Sequence, residues 1–417
     1  MSLAWAAYRV VAPVLGAAAP AARLFASPRE RPLWEERLGR LTAAEPVDAW
    51  IHAASLGEAL AVGPLVRGLQ GLQPGARFQL TASTAAGRAR LAELGLRHSL
   101  APLDAPQTVA RFLACVRPRR LFLIETELWP HWLLSARAAG IPVAVVSARI
   151  STRSLARYAR LGGGFRGLVA GLGGVLCQSC ADEARWLSLG APAGRTTVVG
   201  NLKDDALPEP AADRGRARAA LGLDPQRPLL VLGSLRLGEV RFLARAWGGL
   251  PAPVRAGWQV VAVPRHPRAA AELRTEAART GQALVADAAP ADGAWRWDER
   301  LGVLAGYYAA ADVAVVGGTF APHGGHNPLE PAACGAAVIV GPHHWAQADA
   351  VEALVAAGGA RVAADAPGLA AVLATWLGDG EARAAAGAVA LATVRERRGA
   401  ARRAAARLAA WDLWPAA

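Results

Sequence analysis

Residues 317–335, GGTFAPHGGHNPLEPAACG, gather Gly318, Gly324, Gly325, His326, Asn327 and Glu330 behind the apolar run Val313–Val316. Such a run reads as a buried parallel strand. A Gly-rich turn at the carboxyl end of a strand, opening onto a helix N-terminus, is where α/β folds bind nucleotides and phosphates. Glycines let the backbone approach the ligand, and Asn327 and Glu330 offer hydrogen bonds to ribose or sugar hydroxyls. Arg265, in Pro264-Arg265-His266-Pro267, follows a second apolar run, Gln259–Val263, and is placed to neutralise a nucleotide phosphate.

A second set of chemistry-bearing residues lies upstream. His52-Ala53-Ala54-Ser55-Leu56-Gly57-Glu58 follows the first strand-like run, so Glu58 is a candidate general base. Glu125-Thr126-Glu127-Leu128-Trp129-Pro130 ends another run, and two carboxylates beside a tryptophan suit sugar hydroxyls and a stacking face. Glu127 is the alternative base. Arg149 and Arg153 suit phosphates. Lys203, in Gly200-Asn201-Leu202-Lys203, is the single lysine among 46 basic residues.

These segments need strands to hold them. Candidate strands are 49–53, 77–81, 120–124, 142–147, 175–177 and 197–199, with helical stretches such as 60–69 and 84–94 between them. A second alternating series follows at 229–232, 259–263, 283–285, 313–316, 338–340 and 360–363. The alternation predicts two parallel sheets covered on both faces. Expected boundaries are an N-terminal membrane-associated segment 1–30, a Rossmann-like domain 31–204, a Pro- and Asp-rich linker 205–225, a second Rossmann-like domain 226–395 and a C-terminal helix 396–417.

Composition narrows the partners. Apolar residues make up 53% and charged residues 19%, which describes a globular chain. Residues 1–200 carry 23 basic against 12 acidic residues, and the remainder 23 against 21, so the acidic partner belongs to the first half. The basic residues are scattered, without the aromatic platforms or helix-turn-helix of a nucleic-acid binder. Cys177 and Cys180 have CxxC spacing but no second pair, and four cysteines are too few for a disulfide scaffold. His323, His326, His343 and His344 lack carboxylates at metal spacing, so hydrogen bonding is the reading for them. Residues 3–26 are apolar but interrupted by Arg9, Pro13, Pro20 and Arg23; the uncharged run 10–22 is 13 residues long, short of the ~20 a span needs, and no basic leader lies ahead. Trp5, Tyr8, Arg9 and Arg23, with Arg29, Arg31, Arg37 and Arg40 behind, are of the types that anchor a monotopic helix at a membrane surface; packing on the first domain is the other reading.

Together GGHNPLEP, ETELWP, HAASLGE, SARIS and GNLK, in this order of quotation but each in its family position, resemble the 3-deoxy-D-manno-octulosonate (Kdo) transferases of lipid A assembly in Gram-negative bacteria. The resemblance spans about residues 30–400. It departs at Ser147, where the family has Asn, at Leu56 for Val, and in Gly233–Val240, where Leu235, Arg236 and Val240 replace Thr, His and Glu. The resemblance implies an α/β GT-B glycosyltransferase, two Rossmann-like domains facing a cleft. It implies an inverting transfer from CMP-Kdo to a tetraacyl, bisphosphorylated lipid A precursor at the cytoplasmic face of the inner membrane. No metal or other cofactor and no nucleic acid is implied. Glu58 becomes the catalytic base. Ser234, Arg265, His266, Gly318, Gly324, Gly325, His326, Asn327 and Glu330 become the donor site, and Glu125, Glu127, Trp129, Arg149, Arg153 and Lys203 the acceptor site. A related transferase using another nucleotide sugar, and an idle homologue that binds anionic lipid, are the alternatives.

Overall fold

A computed structural model describes residues 3–22, 27, 30–42, 45–286 and 293–416. The chain forms two compact units, residues 1–206 with 398–417, and residues 207–397.

The first unit is built on seven parallel strands: β1 (Ala49–His52), β2 (Phe78–Ala82), β3 (Arg97–Leu100), β4 (Leu121–Ile124), β5 (Val143–Ala148), β6 (Gly174–Cys177) and β7 (Thr196–Val198). Their order is β3-β2-β1-β4-β5-β6-β7. Segments such as AWIH and LFLI are buried along their whole length, as strands covered on both faces must be. From β1 the chain runs outward one way through β2, and returns to start again at β4. The loops leaving β1 and β4 therefore diverge and open a crevice at the carboxyl edge.

The second unit repeats the plan with β8 (Leu229–Leu235), β9 (Gln259–Pro264), β10 (Leu284–Val285), β11 (Trp295–Trp297), β12 (Val313–Val316), β13 (Ala337–Val340) and β14 (Ala360–Val362). Its order is β10-β11-β9-β8-β12-β13-β14, so here the crevice lies beyond β8 and β12. Two of these fourteen strands are absent from the sequence reading. β3 is RHSL, an edge strand too polar to show as an apolar run. β11 is only WRW, its Arg296 donating to the Leu221 carbonyl at 2.6 Å.

The linker stretch leads into the short helix Arg214–Ala220, whose buried Arg218 reaches Asp312 at 2.6 Å within the second unit. The helical tail is two helices, Gly380–Arg397 and Ala400–Ala410, separated at Gly399. The second of them packs in the first unit, and Trp414 Nε1 beyond it donates to the Leu69 carbonyl.

Residues 3–22 form one continuous helix, and no helix among the described residues is long and apolar enough to cross a membrane. Trp5 and Tyr8, expected as interface anchors, turn inward instead. Trp5 is buried edge-on against Phe165, and Tyr8 stacks on His131 at 5.5 Å. Aromatic faces gain more from a packed partner than from a half-wet site. The side turned to solvent carries Val10, Val11, Val14 and Leu15, each at least half exposed. Arg23 and Arg29 lie outside the described residues.

Candidate functional site

In the first unit, β1 delivers the chain to Ser55, which caps the helical turn Leu56–Ala59 by accepting from the Glu58 N–H. Ser55 and Glu58 have capping-box spacing. The Glu58 carboxylate folds back to accept the Ala54 N–H at 2.6 Å and the Ser55 hydroxyl at 3.2 Å. Burial pushes its pKa up, as do the charges of Glu127 and Glu125, and these outweigh the two hydrogen bonds. A capping glutamate ordinarily sits low; this one is made more basic, as a proton acceptor requires.

Glu125 follows β4 with a left-handed φ of 62°, a conformation uncommon outside glycine. Its Oε1 lies 2.5 Å from Lys203 Nζ, so the chain's only lysine neutralises the first carboxylate of ETELWP. Glu127 accepts from Trp129 Nε1 at 2.8 Å and approaches His52 Nε2 at 3.8 Å. Burial alone would raise Glu127, but His52 and the Trp129 N–H bring it below the ordinary carboxylate range. Trp129 keeps 39% of its surface exposed, enough to offer a stacking face. Glu58, Glu125, Glu127, Trp129 and Lys203 are thus gathered in one place.

Ser147 stands at a backbone position that suits the family's Asn. It has φ 55°, a conformation Asn adopts more readily than most residues, and its hydroxyl accepts from the Leu202 N–H and Gln178 Nε2, both at 3.2 Å. It thereby ties β5 to the Asn201–Lys203 turn. Arg149 is exposed in the turn after β5 and Arg153 is exposed in the first turn of the helix Thr152–Ala159, and neither guanidinium has an ion-pair partner among the described residues. The sequence reading left His52 without a role; it is wholly buried at the end of β1.

In the second unit, Gly318, Gly324 and Gly325 all have φ between 72° and 92°, and the Gly325 N–H donates to the Gly318 carbonyl at 2.8 Å. A Cβ on Gly318 would meet the His326 ring at 2.9 Å. The loop is closed from below by Glu239, a wholly buried carboxylate that accepts from the N–H groups of Gly318, Phe320 and Arg236 at 2.8–2.9 Å. Burial raises Glu239 against the pull of those three bonds. The sequence reading gave Glu239, within Gly233–Val240, no role.

His326 is held neutral, its pKa pushed down to about 4 by burial and then by Arg265, Arg236, His266 and His323. Its Nε2 is buried with no partner, which costs roughly 1–3 kcal/mol unless a ligand atom arrives. Arg265 is exposed, directly after β9, and acts on both His326 and Glu330. Glu330 is raised by burial, with Arg265 and the Asn327 side chain opposing. Ser234 sits at the end of β8 with φ 58°. His266 precedes a short 3₁₀ turn, and its pKa is lowered by burial and then by Arg265, Arg268 and Arg236.

Two expectations change. The helix after GGHNP is a single turn, Leu329–Ala333, too short to align many peptide dipoles, so the macrodipole contributes little here. Asn327 already spends its side-chain oxygen on the Leu329 N–H at 3.0 Å and hydrogen-bonds Glu330 through its amide, so only part of its amide is left for a ligand. The altered loop has a packing cause: Leu235 and Val240 are core residues, whereas Arg236 adds a positive charge felt at His326.

Residues 33–206 match the family model described as 3-deoxy-D-manno-octulosonic-acid transferase (kdotransferase). The chain is 42% identical over 354 residues to the 3-deoxy-D-manno-octulosonic acid transferase of Bordetella pertussis, covering 79% of this chain and 80% of that one. It is 31% identical to the same enzyme of Haemophilus influenzae, covering 76% of each. Among solved structures, Anabaena HepE in complex with UDP and glucose superposes with a TM-score of 0.59 at 14% identity, over 87% of this chain and 99% of that one. That likeness concerns the fold, two parallel α/β units of the GT-B kind.

Proposed function

The chain belongs to the 3-deoxy-D-manno-octulosonic acid transferase family and is a glycosyltransferase of lipopolysaccharide assembly with a nucleotide-sugar donor, and from that premise we propose how its own residues carry Kdo from CMP-Kdo to a lipid A precursor. The observation that carries the reading is the carboxylate cluster of the first unit: Glu58 made basic by burial and by Glu127 and Glu125.

In this reading the second unit binds the donor. Arg265 neutralises the CMP phosphate, with Arg236 as a second cation. Glu330 and the Asn327 amide hold ribose hydroxyls. The N–H groups of the Gly318–Gly325 turn and the unpartnered His326 Nε2 meet the remaining polar atoms; Ser234 and His266 flank them. The first unit binds the acceptor. Arg149, Arg153 and Lys203 face its phosphates, and Glu125, Glu127 and Trp129 its sugar. Glu58 removes the proton from the acceptor hydroxyl as that oxygen attacks the anomeric carbon. The bond from that carbon to the phosphate oxygen breaks, and CMP leaves with the electron pair. One displacement inverts the anomeric centre.

The acceptor is a lipid, and the N-terminal helix supports delivery from a bilayer. Its solvent side exposes Val10, Val11, Val14 and Leu15, next to Arg9, while the other side is fixed to the first unit. We place it in the plane of the cytoplasmic face of the inner membrane, immersed by that apolar strip.

Incubating the purified chain with CMP-Kdo and the tetraacyl lipid A precursor, followed by mass spectrometry of the lipid, tests this. Lipid gaining Kdo with release of CMP is expected. Turnover only with another sugar nucleotide, or lipid binding without turnover, would overturn it.

A further inference from the structure

We propose that His52 is a positioning residue of the reaction: the chain Trp50–Thr81–His52 fixes the imidazole as its Nε2–H tautomer and aims that N–H at Glu127. The inference rests on the reading of Glu58 as the base.

The strand register makes the chain. Trp50 and His52 alternate along β1 and so point to the same side, and Thr81 on β2 is the register partner of His52. Indole nitrogen can only donate. Trp50 Nε1 gives its proton to Thr81 Oγ1 at 2.7 Å. The threonine hydroxyl has one proton of its own, and its other neighbour is His52 Nδ1 at 2.9 Å. With the threonine proton placed on that bond, Nδ1 accepts, and a neutral ring carries its hydrogen on Nε2.

Burial keeps the ring neutral. No part of His52 reaches solvent, and burial lowers its pKa against the opposing pull of Glu127 and the Thr81 backbone. Trp132 meets the ring edge-on at 4.7 Å and holds its plane. Nε2 then faces Ser83 Oγ at 3.4 Å and Glu127 Oε2 at 3.8 Å. Glu127 thus accepts a hydrogen bond from Trp129 Nε1 at 2.8 Å on one side and has the His52 ring within ion-pair distance on the other. Glu127 stays ionised, and its charge is among the causes that make Glu58 more basic. His52 touches no substrate, being wholly buried; it acts through Glu127.

The test uses the full chain. Glutamine reaches the place of Nε2 with an N–H, whereas asparagine reaches only the place of Nδ1. His52→Asn should lower kcat on the order of tenfold, less than loss of the base itself, with CMP affinity unchanged, and His52→Gln should recover most of it. In ¹⁵N-histidine NMR, one of the eight histidines should show the Nε2–H pattern at neutral pH, should vanish in His52→Gln, and should change pattern in Thr81→Val. Should the His52 variants not fold, Thr81→Val, which keeps the shape, carries the same expectation for kcat. An Nδ1–H pattern at His52 overturns the proposal. So does wild-type turnover in His52→Asn, or in Thr81→Val where that variant carries the test, and so does an equal loss in both His52 variants. Wild-type turnover in Glu58→Gln would instead sink the base reading while leaving the tautomer result standing.

Discussion

Glu239 Oε2 accepts the Gly318 N–H at 2.8 Å, tying the loop after β8 to the loop after β12. Its other bonds, to Phe320 and Arg236, complete a clamp made by one buried carboxylate. Glu239→Gln keeps the shape but turns an amide N–H toward backbone donors. It should cost about 1–3 kcal/mol, read as a lower unfolding midpoint, and weaken CMP binding by calorimetry. An unchanged midpoint and unchanged CMP affinity would remove Glu239 from the donor site's support.

Lys203 and Glu125 form an ion pair beside Glu58. In Lys203→Met, Glu125 loses its counter-charge and acts on Glu58 more strongly. Glu58 is already raised, and it should rise further. The acid limb of kcat/KM, which marks loss of the ionised base, should move to higher pH. A limb that stays in place or moves to lower pH contradicts the electrostatic link.

Asp104 gives a stability signature. Its Oδ1 accepts the Trp132 N–H at 3.0 Å, its Oδ2 is buried without a partner, and burial pushes its pKa up to about 7 against the bonds from His131 and Trp132. Between the ordinary value of 3.8 and about 7, the folded chain holds a proton that the unfolded chain has released. Stability from this group is complete below the lower value and falls as pH rises, by up to ~1.4 kcal/mol per unit, until the folded pKa is passed. Asp104→Asn keeps the acceptor and removes the titration. Its stability curve should be flatter across that window and should exceed wild type above pH 7. A decline as steep as wild type would exclude Asp104 as the source.

The N-terminal helix can be tested without dismantling its packed side. Changing Val10, Val11, Val14 and Leu15 together to serine leaves Trp5 and Tyr8 in place. The unfolding midpoint should hold while sedimentation with anionic lipid vesicles is lost. Vesicle binding at the wild-type level would place the membrane contact elsewhere.

Much of this was legible in the sequence because glycines and charged residues stand directly after apolar runs. Glu58, Glu125 and Gly318 could be placed at strand ends from that pattern alone. What was not legible depends on partners distant in the chain. Thr81, 29 residues from His52, decides the tautomer, and Glu239 closes a loop 79 residues ahead. Trp5 and Tyr8 have the composition of a membrane anchor, and only Phe165 and His131 reveal which way they face. β3 and β11 escaped because RHSL and WRW carry no apolar run.

The central claim is that Glu58 takes the acceptor proton. Glu58→Gln keeps size and hydrogen bonding and removes basicity, so Kdo transfer from CMP-Kdo to the lipid A precursor should fall by ~10²–10⁴-fold while calorimetric CMP affinity stays at the wild-type value. Near-normal transfer in Glu58→Gln, with transfer lost in Glu127→Gln, would contradict the account and move the base to Glu127.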